Sequence, residues 1–157
     1  MKKSLTILTL SITFYSSCNN ISKYQRHLIL CENLVYRINS LFDESISSMF
    51  LLSNFYTEDF TFHYFPAGNK KGIKILKKDF LNLLNDAKKK IDLNIVHTIF
   101  LPGLDELTHK IDGSVRVYYG ADIYYNNDTI EYSGYQTINF KNHKINEVFE
   151  WADYGGI

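Results

Sequence analysis

Apolar residues along this chain fall first at helical and then at strand spacing. Ile21, Tyr24, Leu28, Cys31, Val35, Ile38 and Phe42 recur at alternating intervals of three and four, and Leu34 and Leu41 widen the stripe. That spacing predicts one long amphipathic helix. Ser45 to Tyr56 reads as a shorter helix, with Ile46, Met49, Phe50 and Ser53 on one side. Glu58-Asp59 breaks the pattern. Phe60, Phe62 and Tyr64 then alternate with Thr61 and His63, the period of a strand, until Pro66-Ala67-Gly68 stops it. A third helix is predicted from Ile73, Leu76, Phe80, Leu83, Leu84, Ala87 and Ile91, which share one face.

Beyond Asp92 the period stays at two. Leu93 to Leu101 is a strand ended by Pro102-Gly103. In Ser114 to Tyr125, Val115, Val117, Tyr119, Ala121, Ile123 and Tyr125 lie opposite Arg116, Tyr118, Gly120, Asp122 and Tyr124. Asn126-Asn127-Asp128 has the residues of a turn. Thr129 to Phe140 repeats the alternation, with Ile130, Tyr132, Gly134, Gln136 and Ile138 on one side. Asn142-His143 turns the chain into a last strand, where Ile145, Phe149 and Trp151 alternate with Val148, Ala152 and Tyr154. Each of those sets carries carboxylates, Glu147 and Asp153 on one and Glu150 on the other. The predicted class is α+β: a cone-shaped, curved antiparallel sheet covered by about three N-terminal helical segments. One layer of helices cannot fill the concave side of such a sheet, so an apolar pocket is expected.

The first residues change the picture of where the protein works. Lys2 and Lys3 precede Leu5 to Phe14, a run dominated by apolar residues and threonine, and Ser16, Ser17 and Cys18 follow. The run is short for a bilayer span and reads as an export signal over 1–17, leaving one domain over 18–157. Ser16-Ser17-Cys18 resembles a bacterial lipobox, which implies a lipidated Cys18 and a membrane-anchored lipoprotein of a bacterial cell envelope; Tyr15 stands where leucine is usual. Simple secretion with Cys18 as a spare thiol is the alternative. Cys31 is the other cysteine, so a lipidated Cys18 leaves no intramolecular disulfide, and Cys31 reads as a small buried hydrophobe.

Composition adds an exclusion. Loss of the leader removes Lys2 and Lys3 and no acid, taking 17 basic residues to 15 against 17 acidic ones, a net charge of −2. That balance gives no reason to expect nucleic acid. The lysines between Lys70 and Lys90 read as the solvated face of the third helix. No HxH, HxxxH or Cys-His cluster shares an element, and no Gly-rich phosphate loop or Ser-His-Asp order is visible, so neither a metal nor a cofactor is expected. His27, His109 and His143 read as surface or turn residues, and His63 as facing outward.

Four segments resemble the nuclear transport factor 2-like superfamily, and within it the SnoaL-like branch. "LLSNFYTEDFTFHYFPAG" is similar to its helix, first strand and Pro-Gly turn, and "KKGIKILKKDFLNLL" to the segment entering its third helix. Val96-His97 resembles a His-bearing strand, and "INFKNHKINEVFEWADY" its last hairpin. The resemblance implies a ligand pocket and no particular reaction. The base position of ketosteroid isomerase falls on Tyr64, or Phe65 with one insertion, and its second acid on Gln136, so that catalytic pair is absent. On the last strand the resemblance turns Val148, Glu150 and Ala152 inward, where a desolvated Glu150 would suit a general acid or base.

The expected polar lining is Tyr64, His97, Tyr119, Gln136 and Glu150, with Ile138 among the apolar walls; His97 has the alternative of an ordinary core histidine. Phe149, Trp151, Tyr118, Tyr124 and Tyr135 share the outer face, which the resemblance implies a homodimer could cover. Three functions fit: a binder of a small hydrophobic molecule without turnover, an isomerase, cyclase or dehydratase using Glu150, or an interaction module working through the outer face.

Overall fold

The computed structural model describes residues 2–43, 49–66 and 68–153, with side chains from Ser22 to Ala152. Ser45, Ile46, Ala67 and Tyr154, and the side chain of Cys18, lie outside the described residues. The elements are α1 (Lys2–Phe42), α2 (Met49–Ser53), β1 (Tyr56–Tyr64), β2 (Ile73–Leu76), α3 (Lys77–Lys88), β3 (Asp92–Leu104), β4 (Ile111–Tyr125), β5 (Asp128–Lys141) and β6 (Lys144–Asp153). Among the described residues no helix is long and apolar enough to cross a membrane.

The strands form one curved, unclosed sheet in the order β2-β1-β6-β5-β4-β3. Neighbours run antiparallel except β1 and β6, which run parallel. The β4–β5 and β5–β6 hairpins close on Asn126-Asn127 and Asn142-His143. All four of these residues have positive φ, the two-residue geometry that matches strand twist and that asparagine tolerates.

Segment 73–76 departs from the helical expectation. Ile73 and Leu76 have helical spacing, yet Ile73 to Leu76 pair with Tyr64 to Thr61 as an edge strand, and the helix starts one residue later at Lys77. Two β-branched isoleucines and the open edge of β1 outweigh a spacing of three. Asp79 in the first turn of α3 and Lys88 in the last agree with the helix dipole.

The core lies between the concave face and the helices. Phe60, Leu41, Leu52, Ile145, Val115 and Cys31 are among its fully buried side chains. Burying a ring such as Phe60 stabilises by roughly 2–3 kcal/mol. Phe80 of α3 packs among Tyr56, Phe60 and Phe62, with ring centroids 5.5, 5.3 and 4.9 Å away. Two polar residues fasten α1. The Asn39 amide donates to Ile95 O (3.0 Å) and accepts from Ile95 N (2.8 Å), occupying the backbone groups of edge strand β3. His27, expected at the surface, is buried: Nδ1 meets Gly113 O at 2.7 Å, and the ring stacks on Phe140 at 3.9 Å. Its position three residues after Tyr24 and four before Cys31 places it on the buried stripe.

Candidate functional site

The concave side holds a cavity of about 390 Å³. Its walls come from every layer: Ile38 and Phe42 of α1, Phe80 and Leu84 of α3, Ile95 and Phe100 of β3. Leu83, which also lines the cavity, is more than half exposed and marks the mouth. Apart from the Cys31 thiol, the polar side chains that reach the cavity are Thr98, Tyr119, Tyr132, Gln136 and Glu150.

Three of them converge. The Tyr119 hydroxyl donates to Glu150 Oε1, and Gln136 Nε2 donates to the same oxygen at 3.0 Å. Strand register sets this up. Gln136 stands directly opposite Glu150 across β5 and β6, whereas Tyr119 starts two strands away on β4. Gly134 is the residue opposite Tyr119, and a side chain there would run into the phenol ring. Its bare backbone lets the ring cross β5. The Tyr132 ring meets the Tyr119 ring edge-on, with centroids 5.8 Å apart.

Burial sets the electrostatics. It raises the pKa of Glu150 above the ordinary carboxylate range, and the bonds from Tyr119 and Gln136 offset part of that rise. It also raises Tyr119, with Glu150 adding to the effect, and pushes Tyr132 up to about 12. The Cys31 thiol is pushed up to about 12 as well, which makes it inert rather than nucleophilic. The centre is therefore a buried carboxyl group that accepts hydrogen bonds from two neutral donors.

Of the residues expected here, Tyr119, Gln136, Ile138 and Glu150 do line the cavity. Tyr64 pairs with Glu150 in the β1–β6 register and packs against the core, beside the lining rather than in it. His97 is a correction. The β3–β4 register slips between Ile95 and His97, so the extra residue Val96 reverses the alternation. Leu93 and Ile95 face inward, then Thr98 and Phe100. His97 is exposed, with its ring over Gly120. Tyr132 was missed, although it shares the parity of Gln136 and Ile138. Among the described residues, no cluster of three or more His, Cys, Asp or Glu side chains could hold a metal ion.

No family model matches the chain, and no curated protein matches its sequence. Solved structures do match its shape. A candidate polyketide cyclase from Xanthomonas campestris superposes with a TM-score of 0.65 at 13% identity, covering 83% of this chain and 93% of that one. An NTF2-like protein from Anabaena variabilis gives 0.61 at 14%, covering 83% and 92%. The fold is the nuclear transport factor 2-like cone. BvnE pinacolase from Penicillium brevicompactum has the same cone at a TM-score of 0.61 and 12% identity, covering 82% of this chain and 86% of that one. Identities this low carry the fold and leave the chemistry to the site.

Proposed function

We propose that this nuclear transport factor 2-like chain, of the SnoaL-like branch, is an exported, lipid-anchored protein that binds a small hydrophobic molecule in its cone without transforming it. The observation that carries the reading is the lining. A cavity of about 390 Å³ walled by aliphatic and aromatic side chains, with its hydrogen-bonding groups gathered around Glu150, is the form of a ligand site. Export and anchoring rest on Lys2-Lys3, the run from Leu5 to Phe14, and Ser16-Ser17-Cys18. A second copy of the chain is the proposed cover for the convex face.

One contact favours a second reading. Glu150, held by Tyr119 and Gln136 with its pKa raised, could act as general acid in an isomerase, cyclase or dehydratase. The names polyketide cyclase and pinacolase among the structural neighbours agree with it.

The test is ligand recovery. The chain would be loaded with hydrophobic extract, and what it retains would be identified before and after incubation, for wild type and Glu150→Gln. Unchanged ligand from both supports the binder. Conversion by wild type that Glu150→Gln loses supports the enzyme. An empty protein removes both and leaves an interaction module. Mass spectrometry of the mature N-terminus tests the anchor, which an unmodified Cys18 would remove.

A further inference from the structure

Charge is unevenly spread along this chain. Over 70–90 eight lysines stand against Asp79 and Asp86, a net charge of +6. The rest of the chain from Cys18 onward holds seven basic and fifteen acidic residues, a net charge of −8. Two of the eight lysines are engaged, Lys77 with Glu58 at 2.8 Å and Lys89 with Asp86 at 2.7 Å. Among the described residues no acid pairs with the other six.

Topology puts these lysines at the open end of the cone. β2 is one edge of the sheet, β3 is the other, and α3 links them. Phe80 and Leu84 of α3 line the cavity, so the helix crosses the concave side, a span of about 18 Å for its 12 residues. Lys70, Lys71, Lys74, Lys77 and Lys78 stand where that crossing starts, and Lys88, Lys89 and Lys90 where it ends. Between them α3 has no fully buried residue, and Leu83, at the mouth, is more than half exposed. Ile73 and Leu76 of β2 are about half exposed as well.

We infer that this side of the cone docks on an anionic lipid bilayer, and that the hydrophobic ligand passes between bilayer and cavity through the mouth beside Leu83. Docking rests on the patch alone; passage of the ligand rests on the reading of the cavity as a binding site.

The residue types select a bilayer over other anionic partners. All eight cations are lysines. An ammonium on a flexible stem suits a diffuse layer of headgroups, whereas an arginine fork suits one fixed phosphate or carboxylate. Three exposed aliphatic side chains lie among those charges, and the acyl boundary of a bilayer buries them where a soluble polyanion leaves them wet. The acidic remainder of the chain is repelled by the same surface, so the molecule is a dipole that turns its α3 side to the membrane. A ligand that fits an apolar cavity is more stable among acyl chains than in water, and a mouth against the bilayer removes the aqueous step. A lipidated Cys18 would hold the chain near the surface, but the patch does not depend on it.

The experiment is vesicle sedimentation of the full chain carrying Cys18→Ser, so that no acyl chain contributes. The vesicles are phosphatidylcholine alone, or phosphatidylcholine with an equal part of phosphatidylglycerol. Binding should be roughly ten-fold or more tighter to the mixed vesicles and should weaken as salt rises. Exchanging Lys71, Lys74 and Lys90 for Gln should weaken it roughly a hundred-fold. Exchanging Arg26, Arg37 and Lys110, cations outside the patch, should change it little. Every variant keeps the same leader, so Lys2 and Lys3 cancel from the comparison. Equal binding to both vesicles, or equal losses from the two sets of exchanges, overturns the docking. Leu76→Asp with Leu83→Asp should also weaken binding, and wild-type binding by that pair would overturn the bilayer as occupant in favour of a soluble anion. Passage is followed with anthracene. The lysine variant should take it up from mixed vesicles more slowly than wild type yet bind it equally from solution; equal uptake from vesicles overturns the passage. A chain that docks but takes up no anthracene from either source removes the binding-site reading and leaves the docking in place.

Discussion

Tyr119 begins on β4 and ends at a carboxylate on β6, and the residue it must cross is Gly134. A Cβ at Gly134 would overlap the phenol ring at its outer end. Gly134→Ala should therefore push Tyr119 aside, strip one donor from Glu150 and overpack the sheet, at about 1–3 kcal/mol of stability by urea unfolding. The cost belongs to the pair rather than to β5. Tyr119→Leu shortens the side chain, so in its background the added methyl should cost markedly less, with a coupling of about 1 kcal/mol or more in the double-mutant cycle. Additive costs would place the damage in the strand backbone and remove Gly134 from the site. In the sequence this glycine looked like one more inward position between Tyr132 and Gln136. Nothing in its own neighbourhood marks it, because its meaning lies in a tyrosine fifteen residues earlier that only sheet register brings across.

The cavity depends on α1, and one of the side chains that attach this helix, His27, has its pKa lowered by burial. His27 is held neutral in the fold. Burial lowers its pKa, the bond to Gly113 O offsets part of that, and Lys23, Arg26 and His143 all disfavour a positive charge. Lys23 and Arg26 sit on α1 itself, and His143 approaches from the β5–β6 turn with its ring 5.8 Å away. A histidine whose folded pKa is lowered binds its proton more readily when unfolded. Its contribution is present above the unfolded value of about 6.5 and lost as pH falls toward the folded one. Glu150 acts in the opposite sense, since a raised folded pKa favours the fold at low pH and that advantage is lost as pH rises. The comparison that isolates His27 is thus between wild type and His27→Gln. Acidification from pH 8 to pH 5 should destabilise wild type more than the variant, and parallel pH profiles would show that the fold leaves the His27 pKa unchanged. Legibility at this scale follows locality. Strand periods and two-asparagine turns are written in adjacent residues, so the hairpins were readable. The slip at Val96 has no marker of its own, and it moved His97 out of the site. His27 was readable: it fits the spacing of the stripe as well as Leu28 does, and only its polarity argued for the surface.

For the whole molecule, the unresolved matter of packing is the outer face of the sheet. Rings run across it from edge to centre: Phe65 stacks on Trp151 at 4.8 Å, Trp151 meets Tyr135 at 5.7 Å, and Tyr135 meets Tyr118 at 4.8 Å. His63 stacks on Phe149 at 4.6 Å, and its Nε2 lies 3.3 Å from Glu147. The Val96 slip extends this face, because it turns Ile99 and Leu101 outward next to Tyr118 and Arg116, and both are about half exposed. The same inserted residue that removes a histidine from the cavity thus adds aliphatic surface to the back of the sheet. An apolar face of this breadth is costly to leave in water. The proposed second copy would cover it at least expense, since a two-fold axis would set each row of rings against its own image and need no other partner. Light scattering should give about twice the chain mass at micromolar concentration. Trp151→Glu, which puts two charges near that axis, should return the single-chain mass while the cavity on the opposite face still takes up its ligand. A wild type that stays at one chain mass through high concentration would rule out self-association and hand the face to a different partner, as the interaction-module reading holds. Loss of ligand uptake in a folded Trp151→Glu would instead mean that the two faces of the sheet are coupled.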